Sequence, residues 1–333
     1  MQDRRINRRT MAIGLLIVVV VLLLLFGNGL LGGGSDWRVT DEGLLQYSVS
    51  APKYQQEFIE EADNSTLYAV SFASRGKQMD ALLRMPWTNR SGADGKIKDS
   101  NTNGSDNSSN INSSIGDSNK GKGIAGIVLL PGATVTKERE QGFAKYLSGL
   151  GFASITLDQR NLGGTDQQGD WKMFLQGVEP TEHKMVYDAL AAAEILRAQQ
   201  NVDPSRIIYA GESNGGRFAI IACALDARAR GVLAISTCGY GTDDAVSAGR
   251  LTDPEMIRFL RSVDPETYLA KITPRPFAMI HSRNDTVIPF DYAEDTFARA
   301  FNPKSFHAVG CTKHGNCMEM NTYIEEELKK MAS

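Results

Sequence analysis

Past residue 123 the chain keeps to one rhythm: a short aliphatic run, a turn, a longer amphipathic segment, then another aliphatic run. Few topologies survive that pattern, because consecutive parallel strands need a crossover long enough to hold a helix, and those helices cover both faces of the sheet. The run over 124–130 is aliphatic without interruption and ends in Pro131-Gly132, as expected of a strand buried on both faces. The same reading predicts helices over 137–150, 182–199, 214–225, 292–301 and 318–331, with a helical region over 253–270. Between them fall strands over 153–157, 206–210, 231–236, 276–281 and 305–309. Ahead of this series, 66–73 and 79–85 flank Ser74-Arg75-Gly76 as an antiparallel hairpin at the edge of the sheet. The expected fold class is therefore α/β: a mostly parallel central sheet with an antiparallel N-terminal hairpin and helices on both faces.

Composition narrows what such a fold can be doing. With 42% hydrophobic and 23% charged positions, the 333 residues form neither a disordered nor a collagenous chain. Lys+Arg 36 against Asp+Glu 39 leaves −3, which offers no basic patch for nucleic-acid phosphates. Four cysteines cannot be the main stabiliser of a chain this long.

The N-terminus points to a membrane. Residues 10–35 carry no charge, and 11–26 are apolar apart from Gly14. At 1.5 Å per residue the charge-free stretch reaches ~39 Å as a helix, enough to cross a ~30 Å hydrocarbon core with tilt. Arg4, Arg5, Arg8 and Arg9 precede it, whereas Asp36, Asp41 and Glu42 with one Arg38 follow it. The positive-inside bias then holds the N-terminus in the cytoplasm and the rest outside. The division expected is 1–34, a basic N-terminus and single-pass signal anchor, and 35–333, an extracytoplasmic domain. A cleaved secretory signal is the competing reading, with the glycines at 32–34 a weak cleavage region. Residues 89–121 are almost wholly Asn, Ser, Gly, Asp and Lys and read as a disordered surface insertion. Asn-x-Ser/Thr acceptors at Asn64, Asn89, Asn103, Asn107 and Asn112 make glycosylation an expectation there.

The chemistry concentrates at predicted strand ends. Gly211-Glu212-Ser213-Asn214-Gly215-Gly216 stands directly between a strand and a helix. A sharp turn at that place strains Ser213, exposes its hydroxyl above the sheet, and needs small neighbours at 211 and 215. The Asn214 N–H then opens a helix where an oxyanion would develop. A serine nucleophile needs a base, and four histidines are available. His183 lies in a predicted helix, His281 ends a strand and His307 falls inside one. His314, in the loop 311–317, has the reach and freedom of a base, with His307 next. Asp285 follows a strand and lies between the serine and His314, as the Ser…Asp…His order requires, ahead of Asp243, Asp244 and Asp264. A second oxyanion donor is expected after the first parallel strand, at the Ala133 N–H, with Thr134 the alternative.

From about residue 66 to 331 the chain resembles the α/β-hydrolases, and it is similar to their dienelactone hydrolase and prolyl oligopeptidase-like branch. The residues that carry the likeness are Asp203-Pro204-Ser205-Arg206-Ile207, the Gly-Glu-Ser-Asn-Gly-Gly turn, and Asp285 and His314 in order. The resemblance implies an eight-stranded sheet and a triad of Ser213, His314 and Asp285. Pro131-Gly132 departs from the His-Gly that many relatives have there. The reaction expected is acyl transfer from a small ester or lactone to water through an acyl-enzyme, with no cofactor and no metal. A membrane-tethered peptidase acting on short peptides and a non-catalytic binding module are the alternatives. Cys311 and Cys317 around His314 are as easily a staple of that loop as metal ligands, and Cys223 and Cys238 are read as packing residues. Residues 241–272 form either a small cap or a plain sheet-packing layer. Arg160, in the loop 158–165, either steers a carboxylate-bearing substrate or forms a surface ion pair. The oligomeric state is left open.

Overall fold

Aliphatic strands with no polar side to show to water must be covered on both faces, and the sheet of this protein is. The computed structural model describes residues 36–87 and 123–333. The expected anchor, the insertion over 89–121 and the acceptors Asn89, Asn103, Asn107 and Asn112 lie outside the described residues. Among the described residues no helix is long and apolar enough to cross a membrane.

The main sheet has nine strands: β1 (Tyr54–Ala62), β2 (Ser65–Ser74), β3 (Lys77–Pro86), β4 (Ile124–Leu130), β5 (Ala153–Leu157), β6 (Val202–Glu212), β7 (Ala229–Ile235), β8 (Phe277–Ser282) and β9 (Lys304–Val309). Their spatial order is β9-β8-β7-β6-β4-β5-β3-β2-β1. Pairing is parallel from β9 to β5 and antiparallel across β3, β2 and β1. β4 lies between β5 and β6, so the chain reverses its direction of travel through the sheet there, and the loops leaving β4 and β6 open a crevice at their carboxyl ends.

Alternate residues divide the core. Ile127 and Leu129, Ile208 and Ala210, Leu233 and Ile235, and Ala278 and Ile280 face one layer with helices α1 (Gln141–Gly149) and α9 (Asn321–Ala332), which contribute Phe143, Leu147, Ile324 and Leu328. The residues between them, such as Val128, Tyr209 and Val232, are equally buried. A period of two that is apolar at both phases is what reads as an uninterrupted aliphatic run. The remaining helices are α2 (Gln167–Leu175), α3 (Thr181–Arg197), α4 (Asn214–Leu225), α5 (Thr242–Ser247), α6 (Pro254–Val263), α7 (Leu269–Ile272) and α8 (Phe290–Ala298).

The structure departs from expectation at several places, each with a physical cause. The sheet carries an edge strand, β1, that periodicity did not reveal. Its Gln, Glu and Phe side chains are exposed on both faces, so no apolar alternation marks it, and Glu57, Glu60 and Glu61 suit an unpaired edge. Its turn to β2 places Asp63 and Asn64 at φ 52° and 58°, and the next hairpin turn places Arg75 and Gly76 at 44° and 73°. Such two-residue turns with both central residues left-handed match the twist of the strands. Asn64 is exposed at the tip of the first. The helix expected from 137 starts only at Gln141, because Lys137 is held by Asp158, which accepts from its backbone N–H at 2.9 Å and from its Nζ at 2.5 Å. Helix α2, capped by Asp166 on the Gly169 N–H, was not foreseen, nor was α5. Within 241–272, Phe259 of α6 packs against Trp171 and Phe174 of α2 at 5.6 and 5.4 Å between ring centroids.

Arg160 is neither a surface pair nor a steering group. It is buried, with Nε 2.7 Å from Asp188 Oδ2 and Nη2 3.1 Å from Asp188 Oδ1. Nη2 also donates to the Ser74 carbonyl at 2.7 Å, and the Ser74 hydroxyl donates to Asp188 Oδ1. The cluster ties the loop after β5 to α3 and to the second hairpin turn. Two buried charges of this kind offset each other's desolvation, and removing one leaves the other uncompensated. Asp188→Ala is therefore expected to destabilise the fold by about 3–5 kcal/mol, read as a lowered urea midpoint.

Candidate active site

β6 runs into α4 with one residue between them, Ser213. Its backbone sits at φ 52°, ψ −121°, a conformation that costs an L-residue roughly 1–3 kcal/mol and persists only where neighbours impose it. They do so here through the Ser213 N–H, which donates to the Ile235 carbonyl at 2.9 Å, and the Thr237 hydroxyl, which donates to the Ser213 carbonyl at 2.7 Å. The flanking glycines are sterically required. A Cβ at Gly211 would lie 2.4 Å from the Gly215 carbonyl oxygen, and one at Gly215 would lie 2.1 Å from that of Leu130. A Cβ at Gly132 would come within 3.4 Å of Ser213 Cβ, so the loop leaving β4 lies against the Ser213 side chain.

That loop and the start of α4 supply the backbone donors. In the turn after Gly132 the Thr134 N–H is spent on the Leu162 carbonyl at 2.7 Å, whereas Ala133 makes none of this loop's backbone hydrogen bonds. Asn214 is the first residue of α4, where a helix leaves its N–H groups without intrahelical acceptors. Its side chain is fixed on both sides: Nδ2 donates to the Gly163 carbonyl at 3.0 Å, and Oδ1 accepts from Arg217 at 2.7 Å.

Asp285 and His314 meet although 29 residues separate them. His314 Nδ1 is 2.8 Å from Asp285 Oδ2 and 3.1 Å from Oδ1. Oδ1 also accepts the Val287 and Ile288 N–H groups at 2.8 and 2.9 Å. Burial alone pushes the Asp285 carboxyl up, but the Ile288 N–H, His314 and the Val287 N–H together outweigh it and hold it below the usual carboxylate range. An ionised carboxylate at Nδ1 accepts a hydrogen bond from that ring N–H and leaves the lone pair on Nε2, the tautomer in which Nε2 can accept a proton.

The His314 loop is closed by a Cys311–Cys317 disulfide, with the histidine midway between the two cysteines in sequence. It is pinned to the elbow at two points. The Asn316 N–H donates to Glu212 Oε2 at 3.2 Å, and the Ser236 hydroxyl donates to the Gly315 carbonyl at 3.3 Å. Glu212 directly precedes Ser213, and Ser236 directly follows the Ile235 whose carbonyl holds the Ser213 N–H. Among the described residues no hydrogen bond joins the Ser213 hydroxyl to His314, whose Nδ1 is engaged by Asp285.

The other candidates stand elsewhere. His307 donates or accepts at Glu327 (2.8 Å) with its ring stacked on Tyr323, and His281 Nε2 lies 3.0 Å from the Ile288 carbonyl. His183 is fully buried against the Ser262 hydroxyl at 2.7 Å, and burial pushes it down to about 3. Asp243 and Asp244 pair with Arg261 and Arg299, while Asp264 accepts from the Tyr240, Thr242 and Glu266 N–H groups. Cys311, Cys317 and Glu319 come close enough together for a metal, but both sulfurs are in the disulfide.

Comparison with known proteins bears on the fold. An acetyl xylan esterase (AXE1) family model matches residues 167–274. An acetyl xylan esterase from a Paenibacillus species superposes with TM-score 0.62 at 14% identity, covering 84% of this chain and 89% of that one. A glucuronoyl esterase from Solibacter usitatus gives 0.56 at 14%, covering 90% and 89%. The chain has the α/β-hydrolase fold. Among curated relatives, the uncharacterized protein YfhR of Escherichia coli is 27% identical over 40% of this chain and 47% of its own length. The uncharacterized protein Rv2307c of Mycobacterium tuberculosis is 27% identical over 52% and 57%. The chain thus spans about half the length of the curated relatives it matches. Against the eight strands expected of an α/β-hydrolase, this sheet has nine, the added one being the edge strand β1.

Glu212 and Glu140 were not singled out from the sequence. Both line a cleft of about 430 Å³ beside His314, together with Tyr146, Lys313 and Asn316. A glutamate before a serine is unremarkable in a string, and Glu140 is separated from it by 72 positions.

Two outcomes follow from this geometry. Asp285→Asn keeps the shape but reverses the ring tautomer, so kcat for ester hydrolysis should fall by about 10³–10⁴-fold with the melting temperature little changed. Replacing Cys311 and Cys317 together by serine frees the loop that carries His314, and kcat should fall by about tenfold with KM preserved, as misplacement of one catalytic group does. An unchanged kcat would show that the loop is held by its hydrogen bonds alone.

Proposed function

We propose that this protein is a carboxylic ester hydrolase that works through a serine acyl-enzyme. The observation that carries the reading is the His314–Asp285 pair, hydrogen-bonded at 2.8 Å and tied by its loop to the residue before Ser213. Support for an ester rather than an amide comes from the acetyl xylan esterase family model and from structural neighbours whose own descriptions are esterases.

In this mechanism Ser213 Oγ attacks the ester carbonyl carbon while its proton passes to His314 Nε2. Asp285 stabilises the imidazolium that forms. The N–H groups of Asn214 and Ala133 receive the oxyanion of the tetrahedral intermediate. Collapse of that intermediate breaks the C–O bond, and the alcohol leaves with the proton that His314 returns. Water, activated by the same imidazole, then hydrolyses the acyl-enzyme. The chemistry is complete in side chains and backbone and calls on no cofactor.

The substrate proposed is a small ester or lactone. The domain is proposed to lie outside the cytoplasm, held by the apolar run over 11–26, with Asn64 available for glycosylation at its hairpin tip.

A fluorophosphonate probe tests the reaction class directly. The folded protein should be labelled, Ser213→Ala should not be, and the variant's turnover of p-nitrophenyl acetate should fall by at least about 10³-fold. Folded wild-type protein that takes no label would favour a binding module. Cleavage of short peptide amides faster than of short-chain esters would favour a peptidase.

A further inference from the structure

Two carboxyl groups outside the triad meet beneath the His314 loop. Glu140 ends the turn that precedes α1 and is 5% exposed, with its Oε1 buried and without a hydrogen-bond partner. Glu212 ends β6, next to Ser213. The two side chains are within hydrogen-bonding reach of each other, which two carboxylates can use only if one is protonated. Burial, and then the charge of Glu212, push Glu140 up to about 8. Burial also raises Glu212, against the Asn316 N–H and the positive charge of Lys313.

The pair reaches the proposed base through one backbone bond. Glu212 Oε2 accepts the Asn316 N–H at 3.2 Å, two residues from His314. The approach is close enough that a Cβ at Gly315, which sits at φ 83°, would lie 2.7 Å from the same oxygen. The groups facing the pair are few. Lys313 and His314 come from the loop, Arg139 from the turn that precedes α1 and Tyr146 from α1 itself. The Met318 and Asn321 side of the cleft brings no charge.

We propose that Glu140 and Glu212 share one proton and act as a latch, Glu140 donating to Glu212 so that Glu212 can hold the His314 loop by the Asn316 N–H. Both are positioning residues, and the proposal rests on the reading of His314 as the base. While the proton is present, the pair carries one negative charge opposite Lys313. Once it is lost, two buried carboxylates oppose each other, Lys313 compensates one, and Glu212 is driven off its bond to the loop. The latch is therefore closed below the titration of the pair and opens as pH rises through it.

The test compares wild-type protein, Glu140→Gln and Glu140→Ala. Glutamine at 140 still donates to Glu212 but cannot ionise. For hydrolysis of p-nitrophenyl acetate, wild-type kcat should fall by about tenfold between pH 7 and 9.5, a loss of the size that misplacement of a catalytic group gives, with KM unchanged. Glu140→Gln should lack that alkaline fall, and Glu140→Ala should show lowered kcat across the whole range. A second readout needs no substrate: amide hydrogen exchange of the peptide over 311–318, corrected for intrinsic rates, should lose protection with rising pH in wild-type protein and keep it in Glu140→Gln. Exchange that responds to pH identically in the two proteins overturns the latch, as does an alkaline limb retained by Glu140→Gln. If neither protein hydrolyses esters or takes the fluorophosphonate label, the hydrolase reading fails, and the exchange comparison still decides whether the carboxyl pair holds the loop.

Discussion

The joint between β6 and α4 is the constraint on which the rest of this molecule depends. A strand can pass into a helix across one residue only if that residue takes a strained conformation and its neighbours give up their side chains. Ser213 at φ 52° meets the first condition, and Gly211 and Gly215 the second, since a Cβ at either would fall well inside contact distance of a backbone oxygen. The strain is held by two hydrogen bonds to the next strand's end, at Ile235 and Thr237. The result is a hydroxyl above the sheet, with the Asn214 N–H beside it and the loop after β4 against it. The aliphatic sheet serves this joint by giving it a rigid base buried on both faces.

Around the joint, several buried charges have well-defined partners. Asp285 is buried yet stays ionised because two backbone N–H groups and His314 converge on it. The Arg160–Asp188 pair fixes the loop after β5, and that loop in turn reaches the site through the Gly163 carbonyl on Asn214 and the Leu162 carbonyl on Thr134. A side chain whose sequence suggested a surface ion pair or a steering group is thus a structural bolt one layer behind Asn214 and Thr134. Glu140 and Glu212 are not fully paired, since Glu140 Oε1 is buried without a hydrogen-bond partner. In the latch proposed above, the proton they share makes the hold on the His314 loop sensitive to pH.

Much of this was legible before the fold was known, and the limits are instructive. The strands β4 and β5 and the helix α4 fall where periodicity placed them, because both faces of those strands are apolar and because glycines punctuate the turn at 211–216. β1 was invisible because an edge strand exposed on both faces carries no hydrophobic period. α2 was missed because its sequence mixes Gln, Gly, Asp and Lys with Trp and Phe, so its apolar side emerges only where Trp171 and Phe174 meet Phe259 from α6. Among the site residues, Ser213, Asp285 and His314 announce themselves by residue type and chain order, which a serine mechanism restricts tightly. Glu140 does not, because its role depends on a neighbour 72 positions away.

Chain order and local pattern alone determined the α/β layering, the elbow, and the three residues able to supply a nucleophile, a base and an orienting acid. These are local properties: strand length, helix period, glycine at a sharp turn, and the chain order of groups with suitable chemistry. Tertiary structure decided what required distance in space. It set which carboxylate faces which imidazole nitrogen, which backbone N–H groups remain uncommitted, that Arg160 is buried against Asp188, and that two glutamates share a site. Hydrogen bonds of about 3 Å and desolvation by surrounding atoms create those properties, and both exist only once segments remote in sequence have been packed against each other.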